Sequence, residues 1–510
     1  MGKENKVAQS AAIIAIFTLA SKGLGFFREV LIASKFGSGM VTDTYFVAMT
    51  ATVIIMGTLG SALNTTLIPI FSEIRESSGR QGQRRYLNNI LNLVFLITSL
   101  LVIMAYILSP AIIRVLAKGF EGEQFKLAVR LNRIGLPIII FLGFTHVFSG
   151  YLQSNEIFGP HAIMGIPYNL VFLIYLIFSK GEKVELLMLI SVFAALTQVL
   201  IQLPAVIHSR YRYSPRINLR DPYLYKTMSL VLPVLLGSAV HQINAIVDKT
   251  LASELVEGSI SALTYANRVN DLIISVFVMA ITTVVFPMFS RAFSQQNDKQ
   301  LKEIFNRGVN IILLVTIPAT VGILLLAEPM IRLFFQRNAF SPTATSMTSK
   351  ALIFYSLGLV AASLRLLLNR VFYSLQDTRT PMINGGIAVI VNIILNLLLI
   401  RPMAHNGLAL ATSISAMVTT FLLFIDLRRK IGPIGMKHII VTFIKSTIAA
   451  SLMGIVVYLT YYKLGAYLPN IKVIDFSILL LSIILGALLY FLICAKLKVE
   501  ELAILFKNFR

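Results

Sequence analysis

Long apolar runs recur along the whole chain, separated by short polar stretches in which Arg and Lys are frequent. A helix needs roughly 20 apolar residues to cross the hydrocarbon core of a bilayer. On that measure the pattern predicts fourteen spans, over 9–33, 45–71, 87–109, 134–154, 160–178, 184–207, 226–251, 270–290, 309–328, 350–373, 382–400, 404–426, 438–461 and 474–496. The intervals between them are short, so no large catalytic domain outside the membrane is expected. The opening MGKENKVAQS is followed by an apolar stretch without a short apolar core and cleavage site, so the first span is expected to be retained. The expected fold is an all-α polytopic membrane protein.

Composition agrees with the pattern. Of 510 residues, 56% are hydrophobic and 13% charged, about half the charged fraction of a soluble domain. The mean hydropathy is +0.80. An ordinary soluble enzyme, a disordered chain and a disulfide scaffold are excluded, the last because Cys494 is the single cysteine. Lys and Arg number 45 against 23 Asp and Glu, a formal charge of +22. The basic residues lie between apolar spans, which argues against a nucleic-acid partner. An anionic substrate or anionic membrane lipids are expected instead.

Basic loops orient a membrane protein, because Lys and Arg are retained on the cytoplasmic side. Four of the most basic loops fall on one side of the predicted topology. They carry Arg75, Arg80, Arg84 and Arg85; Arg210, Arg212, Arg216 and Arg220; Arg291, Lys299, Lys302 and Arg307; and Arg428, Arg429, Lys430 and Lys437. Both termini are therefore expected in the cytoplasm. The exception is 114–133, with Arg114, Lys118, Lys126, Arg130 and Arg133, which reads as an interfacial helix on the opposite side.

The chain also repeats itself. TTLIPIFSE (65–73) matches TTVVFPMFSR (282–291), ASKFGSGMVTDTYFVA (33–48) matches ASELVEGSISALTYANR (252–268), and GYLQSNEIFGP (150–160) matches FYSLQDTRTP (372–381). The three offsets agree at 217–222 residues. Two pseudo-symmetric six-helix lobes are expected, over 1–208 and 209–430, with a C-terminal helix pair over 431–510.

An ionisable side chain inside a span costs several kcal/mol unless it faces a cavity or a partner. Lys22, Arg28 and Glu29 stand in the first span, in SKGLGFFRE, with Lys22 and Glu29 one heptad apart and Arg28 on another face. Asp43 precedes the second span, as a helix cap or a partner of Lys22 or Arg28. Asp248 follows His241, Gln242 and Asn244 in the most polar of the spans, a set of oxygen donors suited to a monovalent cation or a proton. Arg268, Arg365 and Arg370 are further cations in or beside spans, and Asp377 stands before Pro381, where a helix can start. His146 and His161 read as structural groups. Metal-site spacing, nucleophile elbow, Walker loop and dinucleotide motif are all missing from the sequence, so it predicts no enzyme and no ATP hydrolysis.

SKGLGFFREVLIASKFG followed by DTYFVA resembles the first-span signature of the MurJ/MviN family, lipid II flippases of the multidrug/oligosaccharidyl-lipid/polysaccharide exporter superfamily. LIPIFSE, ASELVEGSISALTYANRVNDL and FYSLQDTRTP resemble later motifs of the same family, so the resemblance runs over roughly the first 400 residues. It implies alternating access through a central cationic cavity, with the disaccharide-pentapeptide and pyrophosphate passing outward while the undecaprenyl tail stays in lipid. Family cations fall on Lys22, where a family arginine is replaced, and on Arg28 and Arg268; Glu29 and Asp43 fall on the family's acidic positions. Arg365 and Arg370 are added to that candidate headgroup-binding set. No cofactor is implied; Na+ or H+ coupling, with Asp248 and Asp377 as candidate ligands, or the membrane potential alone would drive transport. The expected setting is the bacterial cytoplasmic membrane, as a monomer near cell-wall synthases. One departure stands out: 51–69, ATVIIMGTLGSALNTTLIP, has no charge where the family often has basic residues. That departure favours, as alternatives, a flippase for another undecaprenyl-linked glycan, such as an exopolysaccharide or teichoic precursor. A cation-coupled small-molecule exporter fits less well, since few acidic residues are present to line a cavity for cationic drugs.

Overall fold

A computed structural model describes residues 2–179, 183–295, 297–467 and 471–502. Among them the regular elements are all helices. Helix covers each of the fourteen ranges picked out by hydropathy. Among the described residues nine helices, or ten if one bent pair counts as a single span, are long and apolar enough to cross a membrane. The number is smaller than fourteen for two reasons. The second and third ranges merge in one 77-residue helix, α2 (Met40–Leu116), broken at Gly79, whose φ of 64° and ψ of −173° turn the chain between two arms. The count, taken over the described residues, does not include the helices over the first, seventh and eighth ranges, α1 (Gly2–Phe36), α8 (Pro222–Ser253) and the α9–α10 stretch (Ser259–Ile273, Met279–Ser294). They carry Lys22 and Arg28, Asn244 and Asp248, and Arg268, polar groups expected to work inside the membrane.

Packing divides the described residues into two compact units. The first runs to Ser261 and includes Asn338–Phe340; the second runs from Ala262 to Arg337 and from Ser341 onward. This packing boundary differs from the repeat boundary expected at 208, because α8 lies against α2. Lys226 binds Glu73 at 2.5 Å, and Thr250 Oγ1 donates to the carbonyl of Val115 at 2.7 Å.

The first unit adds α3 (Gly122–Gly135), α4 (Ile138–Ser154), α5 (Gly159–Ile163), α6 (Gly165–Phe178) and α7 (Val184–His208). Its core wraps α2 with α4, around Phe71 edge-on to Tyr86 and Tyr151, each at 5.5 Å between centroids. Between α7 and α8 the chain is irregular, and its backbone needs partners. Three asparagines on one α2 arm supply them. Asn88 donates to the carbonyl of Arg212, Asn89 to that of Asn218, and Asn92 to those of Ser214 and Arg216, at 2.8–3.0 Å.

The second unit adds α11 (Asp298–Phe335), α12 (Pro342–Ser356), α13 (Leu359–Ser374), α14 (Arg379–Met403), α15 (His405–Ile431), α16 (Met436–Tyr458) and α17 (Lys472–Lys496). The two last helices pack on α11 in one continuous core. Tyr490 donates to the carbonyl of Leu314 at 3.0 Å, and Arg332 reaches Tyr461 at 2.8 Å and Asp475 at 3.3 Å.

The repeat is visible in local backbone detail. α4 ends with Glu156 at φ 62°, where the N–H of Ile157 returns to the carbonyl of Leu152. α13 ends 220 residues later with Gln376 at φ 58°, where the N–H of Asp377 returns to the carbonyl of Phe372. This left-handed helix terminus normally favours glycine. Finding it at matched positions on Glu and Gln marks one inherited turn. Ser154 and Ser374 also bond the matching carbonyls, Tyr151 and Val371. The break between α3 and α4 recurs between α12 and α13, with a bend of 49° in the second copy.

Candidate transport site

Arg28 is the most elaborately held cation of the expected set. Helix α1 meets α6 closely because Gly165 has no side chain; a Cβ there would lie 2.0 Å from the Ser21 hydroxyl. That approach puts Asn169 of α6 against α1. Its amide donates to the carbonyls of Ser21 (3.1 Å) and Gly165 (2.8 Å), which leaves its oxygen to accept from Arg28 Nη1 at 3.0 Å. Arg28 Nη2 donates to Glu29 Oε1 at 2.7 Å. The guanidinium carbon lies 5.4 Å from the centroid of Tyr168 and 5.1 Å from that of Phe172. The Arg28 side chain is 15% exposed and the Glu29 side chain 3%. The sequence placed Glu29 on the face of Lys22. The structure pairs it with its neighbour Arg28, since a long guanidinium can fold back across one helical step.

Asn169, Tyr168 and Phe172 were not singled out from the sequence. The signal was present for Asn169, a lone amide in the apolar run GIPYNLVF. Lys22 is exposed on α1, with no ion pair among the described residues.

Asp43 departs from both roles foreseen for it. α2 begins after Gly39, so Asp43 lies in its first turn, and no ion pair among the described residues joins it to Lys22 or Arg28. Its buried carboxylate instead accepts the backbone N–H groups of Gly258 and Ser261, each at 2.7 Å, at the start of α9. The first N–H groups of a helix have no partner within it, and the helix dipole favours an anion there. Ser38 completes the contact, with its hydroxyl 2.7 Å from that of Ser261. Asp43 is thus a cap supplied by one helix to another.

Asp248 on α8 is partly buried and accepts from the Asn244 amide at 3.4 Å. On the second unit Arg268 is exposed on α9 beside the Asn267–Asp271 hydrogen bond of 3.1 Å. Arg365 is partly buried on α13 and Arg370 exposed on the same helix, five residues on and so on a different face. Asp377 starts α14. It accepts from the Thr380 N–H and hydroxyl at 3.0 and 2.8 Å and pairs with Lys430 at 2.6 Å. Partial burial raises its pKa, but the Lys430 and Thr380 bonds outweigh that and hold it down at about 2. Among the described residues no group of three or more His, Cys, Asp and Glu gathers as a metal site.

The charge-free stretch of α2 faces histidine. Asn64 Nδ2 lies 3.0 Å from His146 Nδ1 of α4, and a Cβ on Gly60 would lie 2.1 Å from His146 Nε2. With Asn64 donating, Nδ1 is the acceptor and Nε2 carries the proton. His161 meets Ser149 at 3.1 Å and Ser149 donates to Gln202, so this histidine also sits in a satisfied local network. Gly60→Ala should drive the His146 ring out and destabilise the purified protein by about 1–3 kcal/mol. His146→Ala in the same chain should recover most of that loss in thermal melts. Equal loss in the single and double variants would show that the contact does not set the packing of α2 on α4.

A sequence model of the family described as lipid II flippase MurJ matches residues 32–503. The chain belongs to that family. A protein named probable lipid II flippase MurJ, from Rhizobium tropici, is 30% identical over 423 residues, 81% of this chain and 79% of its own length. A solved lipid II flippase MurJ in an inward closed conformation superposes with a TM-score of 0.80 at 27% identity, covering 96% of this chain and 99% of its own. An inward-facing multidrug resistance MATE family transporter of the MOP superfamily shares the fold, with a TM-score of 0.68 at 16% identity over 82% of this chain and 98% of its own. The MurJ match extends past the motifs recognisable by eye, through α16 and α17. The chain is therefore a multi-pass membrane transporter and not an enzyme.

Proposed function

We propose that the chain carries lipid II from the cytoplasmic to the outer leaflet of the bacterial cytoplasmic membrane. The observation that carries this reading is Arg28, a caged cation on α1 of a chain that matches the flippase family over 32–503. A pyrophosphate headgroup needs cationic donors when it leaves water. Arg28 uses one donor on Glu29 and one on Asn169 and has five in all, so a fork remains for an anion. Glu29 holds the guanidinium until substrate arrives. Lys22 adds a mobile point charge rather than a second fork. Arg268, Arg365 and Arg370 supply cations on the second unit, and alternating access exposes the cavity first to one side and then to the other.

The repeat supports lobes over 1–208 and 209–430, with 431–510 as an appended helix pair. The basic loops favour a cytoplasmic position for both termini. An inside-negative potential favours outward movement of the anionic headgroup by about 2.3 kcal/mol per charge per 100 mV. If Na+ or H+ is coupled as well, Asp248 with Asn244 is the stronger candidate. A cation at Asp377 would have to displace Lys430. The protein acts as a monomer beside cell-wall synthases. The test is lipid II exposure on the outer face of bacteria depleted of their own flippase. Expression of this chain should restore exposure and growth. The neutral 51–69 stretch favours a second reading, another undecaprenyl-linked glycan, which predicts expressed protein with no such rescue.

A further inference from the structure

Away from the caged arginine, the first unit holds a pocket of about 550 Å3 between α3 and one arm of α2. Lys126, Arg130 and Arg133 line it at positions i, i+4 and i+7 of α3, which is one helix face. Tyr106, Pro110 and Phe125 complete a wall that is aromatic and apolar. A run of charges on a helix is usually a solvated face. This one has rings beside it: Arg133 lies 4.6 Å over Tyr106, and the neighbouring Arg114 lies 5.2 Å over Phe125.

The donors are only partly used. Arg133 gives its Nε–H to the carbonyl of Tyr106 at 3.3 Å and has four more N–H groups. Lys126 meets Glu123 at 2.7 Å and Arg130 meets Glu185 at 3.2 Å, but both pairs are solvent-exposed and therefore screened and easily exchanged. Beside the pocket α2 presents Ile103, Met104, Ile107 and Leu108, all 47% or more exposed, as a continuous apolar strip. A cationic pocket with an aromatic rim next to an apolar strip on a membrane helix matches a molecule with an anionic head and an acyl chain.

We propose that this pocket binds the phosphodiester headgroup of an anionic membrane phospholipid, with Lys126, Arg130 and Arg133 on the phosphate and an acyl chain along Ile103 and Ile107. The site is separate from the transport cations, and the proposal stands whether or not lipid II is the cargo.

The test uses the full chain in nanodiscs of phosphatidylcholine, titrated with tail-labelled phosphatidylglycerol. Neutralising a cation should weaken binding roughly fivefold, so K126Q/R130Q/R133Q should weaken it about 100-fold. E123Q removes a competing carboxylate and should tighten binding; it keeps the test alive if the triple variant fails to fold. Unchanged affinity in the triple variant, or no tightening in E123Q, would overturn the proposal. Competition by inorganic phosphate as strong as by the lipid would make the pocket a free-anion site. Preferential displacement by undecaprenyl pyrophosphate would assign it to the cargo. Either result would replace the phospholipid.

Discussion

Arg28→Ala should stop lipid II export and destabilise the protein by about 3–5 kcal/mol, because Glu29 loses the guanidinium that neutralises it in a buried position. The two effects are separable. Arg28→Ala combined with Glu29→Gln removes the buried charge along with its partner, so folded yield should recover in size-exclusion profiles and thermal melts while export stays absent. Arg28→Lys keeps a charge within reach of Glu29 but loses the planar fork that also engages Asn169. It should fold and export lipid II at a reduced rate. Full export by the Arg28→Ala, Glu29→Gln chain would remove Arg28 from the headgroup path.

Asp43→Ala carries the second largest expected effect. Two backbone N–H groups at the start of α9 lose their acceptor in a buried place, and Ser38 is too short to replace it. Loss of a helix cap costs about 0.5–2 kcal/mol, and leaving buried donors unsatisfied costs about 1–3 kcal/mol. Amide exchange at Gly258 and Ser261 should therefore quicken, and transport should fall with it. Asp43→Asn keeps one acceptor oxygen and should lie between wild type and alanine in both measurements. Unaltered exchange in Asp43→Ala would mean that α9 is capped by other groups.

Periodicity and composition carried the fold a long way. All fourteen apolar ranges are helical, and the internal repeat returned as matched helix termini at Glu156 and Gln376. The α2 break was written locally too, in the polar SSGRQGQ around Gly79, where the backbone turns between the two arms. Pairing was harder to see. The helical wheel put Glu29 with Lys22, but a side chain as long as arginine reaches across the wheel to an adjacent position. Asp43 looked like a cap on its own helix, and it caps one that begins 216 residues later. That contact depends on the fold of the Ser253–Ser259 turn, which no local pattern at Asp43 encodes. Asn169 shows the opposite case. A single amide in an apolar span can be read from sequence, but only the close α1–α6 approach allowed by Gly165 shows that it serves Arg28.

The uncharged 51–69 stretch bears most directly on substrate. In this chain Gly60 and Asn64 accommodate the His146 ring, so the space along α2 is filled by a neutral side chain from α4. On the proposed reading, the cations left to meet a headgroup include Arg28, Arg268, Arg365 and Arg370. Arg268→Ala should accordingly be as damaging to transport as loss of Arg28.

The most direct measurement is lipid II exposed on the outer face of bacteria whose own flippase has been depleted, with this chain expressed as wild type or as Arg268→Ala. Wild type should restore exposure and growth, and Arg268→Ala at equal membrane abundance should restore neither. Abundant, folded wild-type protein with lipid II still confined to the inner leaflet would contradict lipid II as the cargo.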